Sequence, residues 1–188
     1  MADFLAQAER LREHYQRKIP PVDQWNPPLS GDLDMRIAHN GTWFYLGGEI
    51  KRRALADLFS SILKKEGESY FLVTPVEKWK IVVEDAPFIV TEFAHVPGQG
   101  VEQEHVVFFT ANGDRVVLGR DHPLWMEKKS GQLEAQPYLM IRAGMPGLIH
   151  RNVYYQLVDL ALEQGDSAGD ASEGRVGVRS CGEFFSLV

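Results

Sequence analysis

The residues best suited to chemistry in this sequence are arginines and lysines set among aromatic rings and acids, and the chemistry they suit is binding of an anion. Arg142, Arg151, Tyr154 and Tyr155 form the clearest group. Arg151 and Tyr155 are four apart and share a helix flank. Arg142 closes the preceding strand, so a short connector is expected to bring it near. Guanidinium groups beside aromatic rings suit a planar anionic ligand; equally, such tyrosines cover helix–sheet seams. A second group, Asp34, Arg36, Trp43 and Tyr45, falls on one face of an expected hairpin, and Thr74, Glu77 and Lys78 form a third. The run Gly47-Gly48-Glu49-Ile50-Lys51-Arg52-Arg53 places three cations in a helix's first turn, against its macrodipole. A phosphate on the backbone N–H groups there would explain them, although the Lys-Ser/Thr ending of a P-loop is missing. Compensation by Glu49 and Asp57 is the preferred account.

Other chemistries find less support. Gly165-Asp166-Ser167-Ala168-Gly169 fits the nucleophile-elbow pattern, but it follows a helix rather than a strand. Six histidines are scattered without the short spacings of metal sites, so no metal and no cofactor are expected. Asp32 and Asp34 alternate around Leu33, which reads as a solvated edge before a cation site; with Glu77 they are the acid–base groups a hydrolase or transferase would use. One cysteine, Cys181, excludes an intrachain disulfide and a cysteine metal cluster. Neither a signal peptide nor a span of about 20 apolar residues is apparent, so a cytoplasmic protein without membrane insertion is expected. The acids between Glu163 and Glu173, unaccompanied by Lys or Arg, hold −4 of the net charge of −6. The rest is near balance, which argues against general nucleic-acid binding.

Periodicity supplies the elements that must position these groups. Leu5, Ala8, Leu11 and Tyr15 line an amphipathic helix over residues 3–17, which Ile19-Pro20-Pro21 stops. Leu33, Met35 and Ile37 alternate with polar residues ahead of Asn40-Gly41, a strong hairpin signal. With Asn40-Gly41 as a two-residue loop, Ile37 faces Phe44, Arg36 faces Tyr45 and Met35 faces Leu46. Leu33, Met35, Ile37, Phe44 and Leu46 then form the core face and Trp43 lies outside with Tyr45. A helix is expected over residues 51–65, burying Leu55, Leu58, Phe59 and Ile62, then strands at Tyr70–Val73, Trp79–Glu84 and Phe88–Phe93. Pro97-Gly98-Gln99-Gly100 is the expected boundary between the lobes, 1–97 and 98–164. Asn40-Gly41 with Leu46-Gly47 recurs as Asn112-Gly113 with Leu118-Gly119, by duplication or by coincidence. In the second hairpin Phe109 and Val116 share one face, Phe108 and Val117 the other. A hairpin around Ser130-Gly131 follows, and a helix from Pro146 to Gln164 burying Ile149, Val153, Leu157 and Leu160. Residues 165–188 read as a flexible acidic tail whose apolar end, Phe184 to Val188, docks on the body or on a partner.

Trp25-Asn26-Pro27-Pro28, Gly31 to Ile37, Asn40 to Tyr45, Leu72 to Lys78, Val83 to Phe88 and Arg151 to Val158 together resemble the bacterial family known as "domain of unknown function 1285". The resemblance covers about residues 20–162, with the tail peculiar to this chain. It implies a duplicated α+β architecture of two small lobes, the C-terminal one loosely like a pleckstrin-homology domain. It also implies a nucleotide-like ligand between the lobes and a role in signalling, with no established activity and hence no catalytic residues to carry over. The expectation is a small-ligand-binding protein. Its alternatives are a protein-interaction module and the hydrolase or transferase above.

Overall fold

The computed structural model describes residues 19–98, 104–131, 133–168 and 176–188, with residues 4, 6, 8, 10 and 11 ahead of them. Those five are helical; Phe4 and Ala8 are buried, while Leu5 and Tyr15 lie outside the described residues. Two compact units divide the chain, Met1–Pro87 and Phe88–Val188.

In unit 1, β1 (Leu29–Ile37), β2 (Trp43–Tyr45) and β3 (Gly48–Glu49) form an antiparallel meander. Helix α1 (Arg53–Ser61) leads to a second meander, β4 (Leu63–Glu66), β5 (Ser69–Val73) and β6 (Lys78–Val83). Parallel pairing of β1 with β6 joins them into one sheet of order β3-β2-β1-β6-β5-β4. Leu58, Phe59 and Ile62 bury the apolar stripe of α1, with the Phe59 ring stacked 6.0 Å from Trp43.

Unit 2 repeats this plan. Its meanders are β7 (Phe88–Val96), β8 (His105–Thr110), β9 (Arg115–Val117) and β10 (Leu124–Glu127), β11 (Gln136–Arg142), β12 (Met145–Ile149). β7 pairs with β12 in parallel, and the order β10-β11-β12-β7-β8-β9 matches unit 1 strand for strand. Helix α2 (Arg151–Ala168) and the hairpin β13 (Gly177–Ser180)–β14 (Glu183–Ser186) are added after the sixth strand. The repeat is therefore real in topology but offset from the one the sequence suggested. Asn40-Gly41 joins the first two strands of its unit, whereas Asn112-Gly113 joins the second and third; its topological counterpart is Leu46-Gly47.

Both Asn-Gly turns correct the expected register by one residue. Ala38 N–H donates to Thr42 O (2.8 Å) and Gly41 N–H to Ala38 O (2.8 Å), with Gly41 at φ +82°. Thr110 N–H donates likewise to Asp114 O (3.0 Å) and Gly113 N–H to Thr110 O (3.0 Å), with Gly113 at φ +90°. Each glycine thus ends a three-residue loop instead of completing a two-residue one. A shift of one residue sends every partner side chain to the other face. Met35 pairs with Tyr45, Arg36 with Phe44 and Ile37 with Trp43, so Trp43 is core and Phe44 faces outward. Phe108 now pairs with Val116, both buried, and Phe109 with Arg115.

The true two-residue turn, Leu46-Gly47, holds Leu46 at φ +48° with 67% of its surface exposed. That left-handed conformation costs a side chain with a Cβ roughly 1–2 kcal/mol, and asparagine tolerates it best. Leu46→Asn is expected to raise stability by up to about 1 kcal/mol, measured as a higher denaturant midpoint at unchanged slope.

Four further expectations change. The helix over 51–65 spans only Arg53–Ser61, because Gly67 at φ +58° opens a hairpin that draws Leu63–Glu66 onto β5. Pro146 lies in strand β12, where Met145, Gly147 and Ile149 are buried in alternation with Pro146 and Leu148. The helix starts at Arg151 and still buries Val153, Leu157 and Leu160. The division falls at Pro87, ahead of Pro97-Gly100, since β7 pairs only within the second sheet. Residues 177–186 are not tail but an ordered hairpin with Val178 and Leu187 fully buried. Asp170 and Glu173 lie outside the described residues.

Candidate functional site

Unit 1 separates the residues that the sequence grouped. Trp43 is buried against Phe59, Tyr45 turns to the core side with Met35, and Asp34 is exposed on the other face. Arg36 is ion-paired with Glu84 and lies 4.2 Å over the Phe44 ring. Glu84 also accepts the His39 N–H at 2.9 Å. That backbone donor first, and Arg36 second, hold its carboxyl below the ordinary 4.5. His39 Nδ1 stands 3.1 Å from the buried Asp85 carboxylate. This is a stitch between the end of β1 and the chain after β6.

Thr74, Glu77 and Lys78 serve the fold in the same way. Thr74 is buried, and its Oγ1 accepts the Glu77 N–H at 3.1 Å, closing the turn from β5 to β6. Trp79 Nε1 reaches Glu77 at 3.5 Å. Lys78 donates to Glu66 at 2.9 Å over the Phe71 ring, and the Lys78 bond is the main reason Glu66 sits below its ordinary 4.5. Nor do the carboxylates combine. Lys78 pairs with Leu29, so Glu77 lies at one end of β1 while Asp34 is five residues farther along, about 17 Å away. Asp32 and Asp34 are both exposed. The glycines before Lys51-Arg52-Arg53 belong to the β2–β3 turn and β3, not to the start of α1, so they form no phosphate cradle with it.

In unit 2 the expected Arg142–Arg151 group is split by the strand between them. Arg142 pairs with Met145 at one end of β12 and Arg151 follows the other end, about 13 Å of strand away. Arg142 is largely buried, 2.9 Å from Asp114 and 4.9 Å over the Phe88 ring. Burial lowers its affinity for the proton and Asp114 opposes that effect. The same Asp114 carboxylate accepts the Thr110 hydroxyl at 3.2 Å, so the ion pair pins the β8–β9 turn to β11.

Arg151 stands apart. It is the first residue of α2, exposed, with Nε donating to Tyr155 OH at 2.7 Å and the guanidinium 5.5 Å from that ring's centroid. Tyr155 keeps half of its surface exposed. His150 Nδ1 accepts the Asn152 N–H at 3.3 Å, capping the helix. Tyr154, half-buried, tilts against Tyr155 at 6.1 Å and donates to Leu187 O at 2.7 Å; burial raises its phenol above the ordinary value. Of the four cations singled out, Arg36, Lys78 and Arg142 face carboxylates, whereas Arg151 faces a phenol.

Sequence reasoning missed the contacts of β13–β14, having assigned them to a tail. His105 Nδ1 lies 3.2 Å from the exposed Cys181 Sγ, and Cys181 N–H donates to Glu104 O at 2.8 Å. Ser180, fully buried, accepts the Val106 N–H at 3.0 Å and donates to Leu118 O at 2.8 Å. Nothing local in the sequence marks these pairs, of which His105 and Cys181 are separated by 76 residues. Ser167 continues helix α2, away from any strand-to-helix elbow. Among the described residues, no group of three or more His, Cys, Asp and Glu is placed to hold a metal ion.

Family models described as "Domain of unknown function (DUF1285), N-terminal domain" and "Protein of unknown function (DUF1285), C-terminal domain" match residues 20–86 and 87–187. The second match includes β13–β14, so that hairpin is shared with the family and not peculiar to this chain. A crystal structure of a DUF1285 family protein from Silicibacter pomeroyi aligns with TM-score 0.79 and 44% identity, over 90% of this chain and 87% of that one. Another from Shewanella baltica aligns with TM-score 0.52 and 29% identity, over 68% of this chain and 91% of that one. No curated protein matches the chain.

Proposed function

The chain belongs to the DUF1285 family, and from that premise we propose that it is a regulatory protein that binds a small, planar, nucleotide-like anion at the Arg151–Tyr155 pair. One observation carries this reading: of the four cations, Arg151 is the one that is exposed and hydrogen-bonded to a phenol, with the Glu134 carboxylate acting on it only through space. Its Nε is engaged by Tyr155, which fixes the guanidinium plane and directs the Nη groups to a phosphate or carboxylate in forked geometry. The half-exposed Tyr155 ring offers a stacking surface, and the start of a long helix adds a favourable dipole. No step in this reading calls for catalysis, a metal or a cofactor, and a signalling role would be exerted through that binding. Among the described residues no helix is long and apolar enough to cross a membrane.

Thermal-shift screening of nucleotides tests the proposal. A genuine ligand raises the melting temperature with concentration, in proportion to about RT ln(1 + [L]/Kd). Arg151→Ala is expected to remove the shift while leaving the ligand-free melting temperature nearly unchanged, because the side chain is exposed. Absence of any shift at millimolar nucleotide would sink the idea.

A further inference from the structure

The hairpin β13–β14 forms a two-stranded sheet of its own and packs on α2, β8 and β10 within unit 2. Val178, Phe185 and Leu187 supply the apolar part and Arg120–Glu183 an exposed ion pair. The central contact is Ser180. Leu118 N–H donates directly to Val106 O at 2.8 Å, as a β8–β9 ladder requires. The reciprocal bond, Val106 N–H to Leu118 O, is replaced by the Ser180 hydroxyl, which accepts from one and donates to the other. The hydroxyl is thus a wedge in the ladder. Withdrawing it would leave a donor and an acceptor that can bond to each other, so an undocked state would have its own hydrogen-bonded arrangement. Two discrete arrangements are what a switching element needs.

The far end of the hairpin meets the ligand pair. Tyr154 OH holds Leu187 O, its ring lies against Tyr155, and Tyr155 OH holds Arg151 Nε. We infer that docking of the C-terminal hairpin and occupation of the Arg151–Tyr155 site are coupled through Tyr154, each favouring the other; the ligand half of this inference rests on the function proposed above. A ligand that fixes Arg151 holds Tyr155 against Tyr154 and so keeps the Tyr154 hydroxyl on Leu187. Linkage makes the effect reciprocal, and a docked hairpin tightens the ligand by the same factor.

Amide hydrogen exchange of residues 177–186 in the full chain tests the coupling, with AMP as the ligand probe. Tyr154→Phe should speed exchange of these amides about fivefold, the effect of one hydrogen bond. Without any ligand, Arg151→Ala should also speed them, by roughly twofold or more, whereas Lys128→Ala, outside the chain of contacts, should not. Unchanged hairpin exchange in ligand-free Arg151→Ala overturns the coupling, whatever AMP does. In the wild type, saturating AMP should slow the same amides; AMP that binds without slowing them overturns the coupling as well. If AMP fails to bind while the ligand-free effect of Arg151→Ala is present, the coupling is supported and the choice of ligand is wrong.

Discussion

Asp114→Ala is expected to destabilise the protein by about 3–5 kcal/mol, because it leaves the Arg142 guanidinium buried without its counter-charge. The side chains of the pair are only 18% and 10% exposed, so water cannot take over from the carboxylate. The loss also strands the Thr110 hydroxyl, which now donates to Asp114. Denaturant unfolding would show a fall in midpoint at nearly constant slope. The double variant Asp114→Ala with Arg142→Met should recover most of the loss, since the charge that needs compensation is then gone. A single-variant loss below about 1 kcal/mol, the range of exposed ion pairs, would show that Arg142 is solvated. It would then return to the list of ligand-binding candidates.

Gly177→Ala is expected to destabilise the C-terminal hairpin by about 1–3 kcal/mol while leaving both six-stranded sheets intact. A Cβ at this position would overlap the Phe185 carbonyl oxygen and the Phe184 ring, and a backbone oxygen cannot swing aside as a side-chain end can. Overpacking of this kind costs about 1–3 kcal/mol, less than the ~1.5–3 kcal/mol of burial that Val178 and Leu187 would each lose on release, so the hairpin stays docked in most molecules but opens more often. Hydrogen exchange should show protection reduced by roughly fivefold or more over residues 177–186 and unchanged in β7 and β12. Gly144→Ala is the control: its site is open, so only the cost of a left-handed conformation at φ +71° remains. Undiminished hairpin protection in Gly177→Ala would mean that β13–β14 is held by something other than the register seen here.

The two Asn-Gly turns show where reading along the chain succeeds and where it fails. Both hairpins were legible from alternation and turn residues, and the strands pair where expected. Their register was not, because Asn-Gly serves equally at the centre of a two-residue loop and at the end of a three-residue one. The choice rests on which face the rest of the sheet buries. Trp43, read as exposed, was thereby lost to the core, and the ligand face drawn around it dissolved. Pro146 misled for a related reason: a proline before an apolar run is a helix-start signal, while five residues are too few for the period of two in β12 to outweigh it.

What the sequence by itself determined is the α+β class, many of the strand-forming segments and the buried Leu58, Phe59, Val153, Leu157 and Leu160 of the two helices, because these depend on periodicity and local turn chemistry. The family resemblance was legible too, in motifs spread over most of the chain. Only the tertiary structure decided which charges are spent. Arg36, Lys78 and Arg142 meet carboxylates that lie 48, 12 and 28 residues away in sequence, and no local pattern records those pairings. Arg151 meets Tyr155 four residues on, within one helix, which is why that cation's contact was both visible in the sequence and retained by the fold.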